Sequence, residues 1–221
     1  MNPWNTPEMV AGFAQSAPNA DLMRFAAGER ARAGGRALDV GCGAARNAVP
    51  LARDGWQVIG TDSSWPMLEA GARRAHAAHV GQRVHVVQAT MAALPVIDRS
   101  ADMIIAHGVW NLARSGREFR TAVLEAARAA KPEAALFLFT FSRNTLPADA
   151  TPVAGESFVF TQFSGQPQCF LTHDQLHEEL ASAGFVPDRA LPLRELNRPE
   201  GRMLHRPAGP VIYQGAFRRT P

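Results

Sequence analysis

The residues best placed to do chemistry are two acids and two glycines at fixed intervals. Asp39 lies in the run Ala37-Leu38-Asp39-Val40, and Gly41-Cys42-Gly43 follows at once. A short apolar run bearing one acid has the length of a buried parallel strand. Glycines directly after such a strand allow positive φ angles and a close approach of a ligand, where a Cβ would interfere. Asp62 then stands at the end of a second run, Trp56 to Thr61. That is about twenty residues past the glycines, where a doubly wound sheet offers a carboxylate to ribose hydroxyls. A carboxylate accepts from both hydroxyls of a diol at once, which a neutral side chain cannot match. The third position of a dinucleotide fingerprint calls for glycine or alanine, and Arg46 stands there. The pattern therefore points to a nucleotide-like ligand and away from NAD.

Alternating strands and helices are needed to bring these groups to one edge. Met9 to Gln15 and Asp21 to Ala31 read as helices ahead of the first strand, with Asn19-Ala20-Asp21 supplying N-cap candidates for the second. Ala44 to Arg53, Trp65 to Ala78 and Arg117 to Ala130 are expected as helices, the last with Phe119, Val123, Ala126 and Ala127 on one face. Lys131-Pro132 should end it. Val84 to Gln88, Asp102 to Ala106 and the apolar Ala134 to Phe141 read as further strands. Ser157 to Phe163 and Gln168 to Thr172 suggest a hairpin, and His173 to Ala183 a helix capped by Thr172 and ended by Gly184. Val186 to Leu193 and Val211 to Phe217 are expected as the last strands, with Asn197 to Pro210 a loop between them.

With 221 residues, 46% hydrophobic and 19% charged, the chain suits one globular domain with a full core. The net charge of +3 comes from scattered arginines, and no basic stripe of a nucleic-acid binder is evident. Cys42 and Cys169 give neither a disulfide framework nor metal-ligand spacing. His173 and His177 have the spacing of a zinc-binding helix pair, but Glu178 does not fall between them; no metal is expected. The N-terminal residues lack a basic region followed by an apolar run, and no stretch reaches membrane-spanning length. A cytoplasmic enzyme, monomer or homodimer, with no membrane partner is the expectation.

Leu38-Asp39-Val40-Gly41-Cys42-Gly43 resembles the first motif of class I S-adenosylmethionine-dependent methyltransferases. The likeness continues in order through Gly60-Thr61-Asp62-Ser63-Ser64, Gln88-Ala89-Thr90 with Leu94-Pro95, Asp102-Met103-Ile104-Ile105, and Lys131-Pro132 before an apolar strand. It covers roughly Arg36 to Phe141 well and the remainder loosely. Gly43, Arg46 and Asn47 are similar to the small-molecule methyltransferases of the tellurite-resistance type. The resemblance implies a Rossmann-like α/β fold, a seven-stranded mixed sheet with helices on both faces and the last strand antiparallel. It divides a single domain into N-terminal helices over 1–35 as a candidate lid, a cofactor-binding core over 36–142, and a C-terminal part over 143–221.

The implied cofactor is S-adenosylmethionine and the implied partner a small-molecule methyl acceptor. Backbone amides around Gly41, Cys42 and Gly43 would face the methionine carboxylate and Asp39 the ammonium, with Arg46 and Asn47 as further expected cofactor contacts. Asp62 and Ser63 would hold the ribose edge, Met67 would cover the adenine, Ala89, Thr90 and Met91 would read it, and Ala106 is a further expected cofactor contact. Thr90 departs from the acid usual in the family, so the backbone at Ala89 and Met91 would do most of the adenine reading. His107 directly follows the fourth strand, at the edge where α/β sheets bind ligands, and is the expected general base. Its competing role is support of the loop through a bond to a nearby carbonyl. Trp110, Asn111 and Arg143 are expected at the acceptor. A nucleic-acid methyltransferase and a non-catalytic cofactor-binding protein are the alternatives on the same fold.

Overall fold

The computed structural model describes residues 3–32, 34–198 and 209–221. The loop expected between Asn197 and Pro210 lies mostly outside the described residues. Two helices lead in, α1 (Pro7–Gln15) and α2 (Ala20–Arg32). Then come β1 (Arg36–Val40), α3 (Ala48–Arg53), β2 (Gln57–Asp62), α4 (Trp65–Ala77), β3 (Val84–Gln88), β4 (Ala101–His107), α5 (Gly116–Ala129) and β5 (Ala130–Phe141). A short hairpin of β6 (Val159–Phe160) and β7 (Gln168–Cys169) follows, then α6 (His173–Ser182), β8 (Phe185–Pro187), β9 (Arg194–Leu196) and β10 (Ile212–Arg219).

The main sheet runs β3-β2-β1-β4-β5-β10-β8, with β9 also paired to β10. The first five strands are mutually parallel and β10 is antiparallel to its neighbours. Val40 pairs with both Thr61 and Ala106, so β1, β2 and β4 end level with one another. The strand order reverses between β1 and β4, and a sheet of this kind binds ligands at the carboxyl ends beside such a reversal. Successive residues of a strand face opposite sides. Leu38, Val40, Ile104, Leu136 and Leu138 pack on one face in a cluster with residues of α5 and α6, while Ala37, Met103, Ile105 and Phe137 pack on the other with residues of α2 and α3.

Seven sheet positions are filled by eight strands, because the outer position is shared by β8 and β9 where a single run was expected over Val186 to Leu193. The run is interrupted by what it meets. The Asp188 carboxylate turns to Arg218, and the Leu193 Cα would lie 2.6 Å from a Cβ placed on Gly215, so the chain bows across β10. Arg218 also donates to Glu29, at 2.7 and 2.9 Å, which ties α2 to the back of the sheet. α3 begins at Ala48 and not at Ala44, since Ala45 takes a φ of 57° that no right-handed helix accommodates. β5 starts earlier than expected, at Ala130, through an irregularity opposite Ala101 and Met103.

Candidate functional site

The turn after β1 needs glycine both for its backbone angle and for the side chain packed against it. Gly41 has a φ of 70°, and a Cβ there would come within 2.6 Å of the Val109 side chain. Cys42 points inward, where its thiol fills the space that Gly60 leaves free; a Cβ on Gly60 would lie 2.7 Å from that sulfur. Burial holds the Cys42 thiol well above its ordinary pKa, so it stays neutral. At the end of β2, Asp62 receives the Gly43 N–H at 2.9 Å through one oxygen and the Ser64 N–H at 2.8 Å through the other. A carboxylate has about four acceptor positions, so lone pairs remain for a diol. Burial raises the Asp62 pKa, opposed by the amides of Ser64, Gly43 and Ser63.

Asp39 is the most unusual group. Its carboxylate is fully buried, and Oδ2 has no hydrogen-bond partner among the described residues. Burial lifts its pKa to about 7, Arg46 pulls it down and Asp62 pushes it up. Arg46 is a second open valence: partly buried, with its pKa lowered mainly by burial, it makes no carboxylate ion pair among the described residues. One Nη2 lies 2.7 Å from His107 Nδ1, and the guanidinium sits over the Phe13 ring at 5.9 Å.

His107 occupies the carboxyl end of β4, its ring stacked on Phe139 at 4.3 Å. Burial, followed by the nearby Arg46 charge, lowers its pKa to about 4. It is thus neutral near pH 7, an acceptor from Arg46 rather than a base poised near neutrality. Asn19, between α1 and α2, brings its Nδ2 to within 3.1 Å of the other ring nitrogen. The segment carrying Asn19 is closed over the glycine turn. Phe13 and Met67 would lie 3.6 and 3.9 Å from a Cβ on Gly43, and Arg74 of α4 donates to the Ala14 and Ser16 carbonyls.

Asp39, Gly41, Gly43, Arg46, Asp62 and His107 therefore share one region, with Asn47 joined to it by accepting the Asn19 N–H at 3.0 Å. Ser63 is exposed beside them, its carbonyl accepting from Gln88, and Ala89 donates to the Asp62 carbonyl. Thr90 and Met91 continue that rim. The other expected residues are buried or bonded within the fold. Ala106 is a core side chain, and Met67 is buried against the N-terminal segment. Trp110 and Asn111 are 0 and 2% exposed, turned into the fold by a 3-10 turn that follows Gly108 at a φ of 72°. Arg143 donates to the carbonyls of Leu146, Pro147, Ala148 and Ala150 and covers the Phe160 ring at 4.9 Å, so it organises its own loop. Asn19, Phe13 and Gln214 were not foreseen at the site; only the capping role of Asn19 had a sequence signal.

The expectation that loop amides receive a carboxylate changes with the geometry. The N–H of Cys42 bonds to Thr61, that of Gly43 to Asp62 and that of Ala45 to Cys42. Among the described residues, no group of three or more His, Cys, Asp or Glu could hold a metal ion, and no helix is long and apolar enough to cross a membrane.

Fold and site define a Rossmann-like protein whose ligand edge lies at the ends of β1, β2 and β4. Residues 37–133 match the methyltransferase domain family, and over that segment the chain is similar to S-adenosylmethionine-dependent methyltransferases. A demethylmenaquinone methyltransferase of Corynebacterium efficiens is 32% identical over 119 residues, which cover 53% of this chain and 46% of that protein. The chain thus matches about half the length of that relative. Among solved structures, the 1,6-didemethyltoxoflavin-N1-methyltransferase of Burkholderia thailandensis superposes with a TM-score of 0.67 at 18% identity, over 90% of this chain and 78% of the other. A (4+2)-cyclase gives the same TM-score of 0.67 at 20% identity, over 94% and 85% of the two chains. These likenesses show the fold. The residues present fit the cofactor of such methyltransferases: the orphaned, buried Asp39 carboxylate suits an ammonium, and Asp62 has lone pairs for a ribose.

Proposed function

We propose that this chain transfers the methyl group of S-adenosylmethionine to a small-molecule acceptor by in-line displacement. The observation that carries the reading is the unpartnered Asp39 carboxylate beside the glycine turn, one strand away from Asp62. When bound, the cofactor supplies an electrophilic methyl on a sulfonium. Asp39 neutralises the ammonium, Asp62 accepts from the ribose, and the closed α1 segment with Phe13 and Met67 keeps water from the turn. Orientation and exclusion of water can contribute roughly 7–11 kcal/mol in favourable intramolecular cases. His107 serves as a neutral acceptor that fixes the Arg46 guanidinium, which suits an acceptor reacting as an anion; such a nucleophile needs no base beside it. Trp110 and Asn111 support the acceptor side from beneath, and Arg143 holds the Leu146–Ala150 loop.

A small-molecule acceptor is supported by the names of the relatives and by the aromatic surface at the end of β5. Phe141 stands two residues beyond Phe139 on the same face, 5.4 Å from the exposed Phe163 ring, which suits a flat unsaturated acceptor. The likeness to the tellurite-resistance type rests on Gly43, Arg46 and Asn47 alone. Calorimetry with S-adenosylhomocysteine in the presence of a chelator tests the cofactor reading, and labelled methyl transfer to thiols, phenols, amines, tellurite and selenite tests the acceptor. No binding, or binding only with added metal, defeats the proposal. Transfer confined to RNA, with salt-sensitive binding, would replace the small molecule by a nucleic acid.

A further inference from the structure

One edge of the main sheet is left open. β3 pairs only with β2, and hydrogen bonds along a parallel pair engage alternate residues of each strand. The Arg83 carbonyl accepts from Val58 and the Ala89 N–H donates to Asp62, so His85 and Val87 between them bond inward to β2. The main-chain groups of Val84, Val86 and Gln88 therefore point away from the sheet. Folded proteins guard such edges with a lysine, a proline, a bulge or a very short strand. The opposite edge has such guards in Pro187 of β8 and in the three-residue length of β9. The run Val84-His85-Val86-Val87-Gln88 has none of them.

The side chains around this edge are also bare. No helix lies in the connection from β3 to β4, and on that face Ile59 and Val87 are 37 and 38% exposed beside the exposed His85. On the other face α4 packs against β2 and β3. Its Met67 and Ala70 meet the N-terminal segment. On the opposite side of the helix Trp65, Ala72 and His76 form an exposed stripe, with Trp65 at 56%. Glu69 and Arg73 border that stripe, and neither joins an ion pair among the described residues.

We propose that this edge is the contact of a homodimer, in which β3 pairs antiparallel with β3 of a second copy about a two-fold axis at Val86. The outward main-chain groups dictate the register. Val86 meets its own counterpart and Val84 meets Gln88 of the second copy, each pair exchanging both main-chain bonds. Val87 falls opposite His85 of the second copy, which joins the bare patch around Ile59 to its counterpart. α4 runs antiparallel to β3, with Gly71 at its middle as Val86 is at the middle of β3. The same axis therefore sets Glu69 across from Arg73 of the second copy. A second copy is the partner because the edge is complementary to itself, in main-chain bonds and in charge. The two β3 strands run oppositely, so the ligand edges of the two subunits face opposite ways.

Sedimentation velocity from low to high micromolar protein should show a monomer passing into a dimer. Residue-resolved hydrogen exchange then locates the contact. The Val84, Val86 and Gln88 amides should exchange at least about tenfold more slowly in the dimer than in the dilute monomer, while those of His85 and Val87, held by β2, stay protected in both. Val87→Lys should raise the dimer Kd at least about tenfold and leave the urea midpoint of the monomer in place, since the side chain is exposed. Glu69→Arg should weaken the dimer roughly two- to tenfold by opposing Arg73, and adding Arg73→Glu should restore it. A monomer at every concentration would overturn the proposal. So would a dimer whose Val84, Val86 and Gln88 amides exchange as in the monomer, or one indifferent to both Val87→Lys and the charge reversal. None of these outcomes bears on methyl transfer.

Discussion

Acidification should weaken cofactor binding through Asp39. In the free chain, burial holds this carboxyl at about 7 and no hydrogen bond supports its charged form. An ammonium group beside it favours ionisation, so the proton must leave as the pair forms. The free protein thus carries more protons than the complex, and affinity falls as pH falls. Each unit below about 7 costs about 1.4 kcal/mol, a tenfold change in Kd. From about pH 8 to about pH 5.5, Kd for S-adenosylhomocysteine should rise roughly 30-fold, and at about pH 6 roughly 0.9 proton should be released per ligand bound. Calorimetry in two buffers of different ionisation enthalpy counts that proton. His107, at about 4, titrates below this window, and Arg46 stays charged throughout it. Asp62 is the remaining acid at the site, so the titration is repeated on Asp39→Asn, where Kd should be flat. An unchanging wild-type Kd, or a dependence that survives in Asp39→Asn, would refute the reasoning.

The same carboxyl links pH to stability with a definite sign. Its folded pKa is raised, so its contribution is fully present below the unfolded value near 4 and is lost as pH rises through about 7. Cofactor-free wild type should therefore lose melting temperature relative to Asp39→Asn between mildly acidic and mildly alkaline buffer; parallel curves would contradict this. The His107 ring should titrate at about 4 by NMR, and the methyl-transfer rate should show no limb at the ordinary histidine pKa; such a limb, abolished in His107→Ala, would make it a general base after all. Asp62→Ala removes the acceptor for the Gly43 and Ser64 amides as well as for ribose. It should lose about 2–4 kcal/mol of cofactor affinity, about 30- to 1,000-fold in Kd, with urea unfolding still cooperative. Glu29→Ala leaves Arg218 with the Asp188 carboxylate and the Glu133 carbonyl and should cost about 3 kcal/mol in urea denaturation without altering cofactor Kd in the folded fraction.

Local signals carried much of the fold and the turn around which the candidate site is built. The β1–Gly41–Gly43 turn and Asp62 at the end of β2 are written in adjacent residues, and both stand where their types require. What was missed at the sheet edge and at Asn19 depended on partners far along the chain. Val186 to Leu193 alternates like a strand, but Asp188 answers to Arg218 and Leu193 to the missing side chain of Gly215. Trp110 and Asn111 follow a strand at the ligand edge, and a local turn at Gly108 buries them, Trp110 against Phe119. Asn19 was legible as a helix cap because Leu22 is three residues away; its second role is toward His107, 88 residues away, and has no local signature.

Two sets of buried acid and arginine in this chain show how a ligand site differs from a strut. Glu29, Arg218 and Asp188 satisfy one another by direct hydrogen bonds, and nothing remains for a ligand to claim. By the usual balance of desolvation against Coulomb attraction, apolar residues of similar volume could replace that set at little net cost. Asp39 and Arg46 are also near each other and also withdrawn from water, but they are not bonded, and one oxygen of the acid meets no donor. A collapsed ion pair there would relieve both groups and occupy the space a zwitterion needs. The sheet prevents it: Asp39 is fixed in β1 between Gly60 and Ile105, while the φ of 57° at Ala45 and the contact with His107 carry Arg46 away from it. The backbone thus holds two opposite charges apart at a standing cost in stability, which a ligand carrying both opposite charges removes on binding.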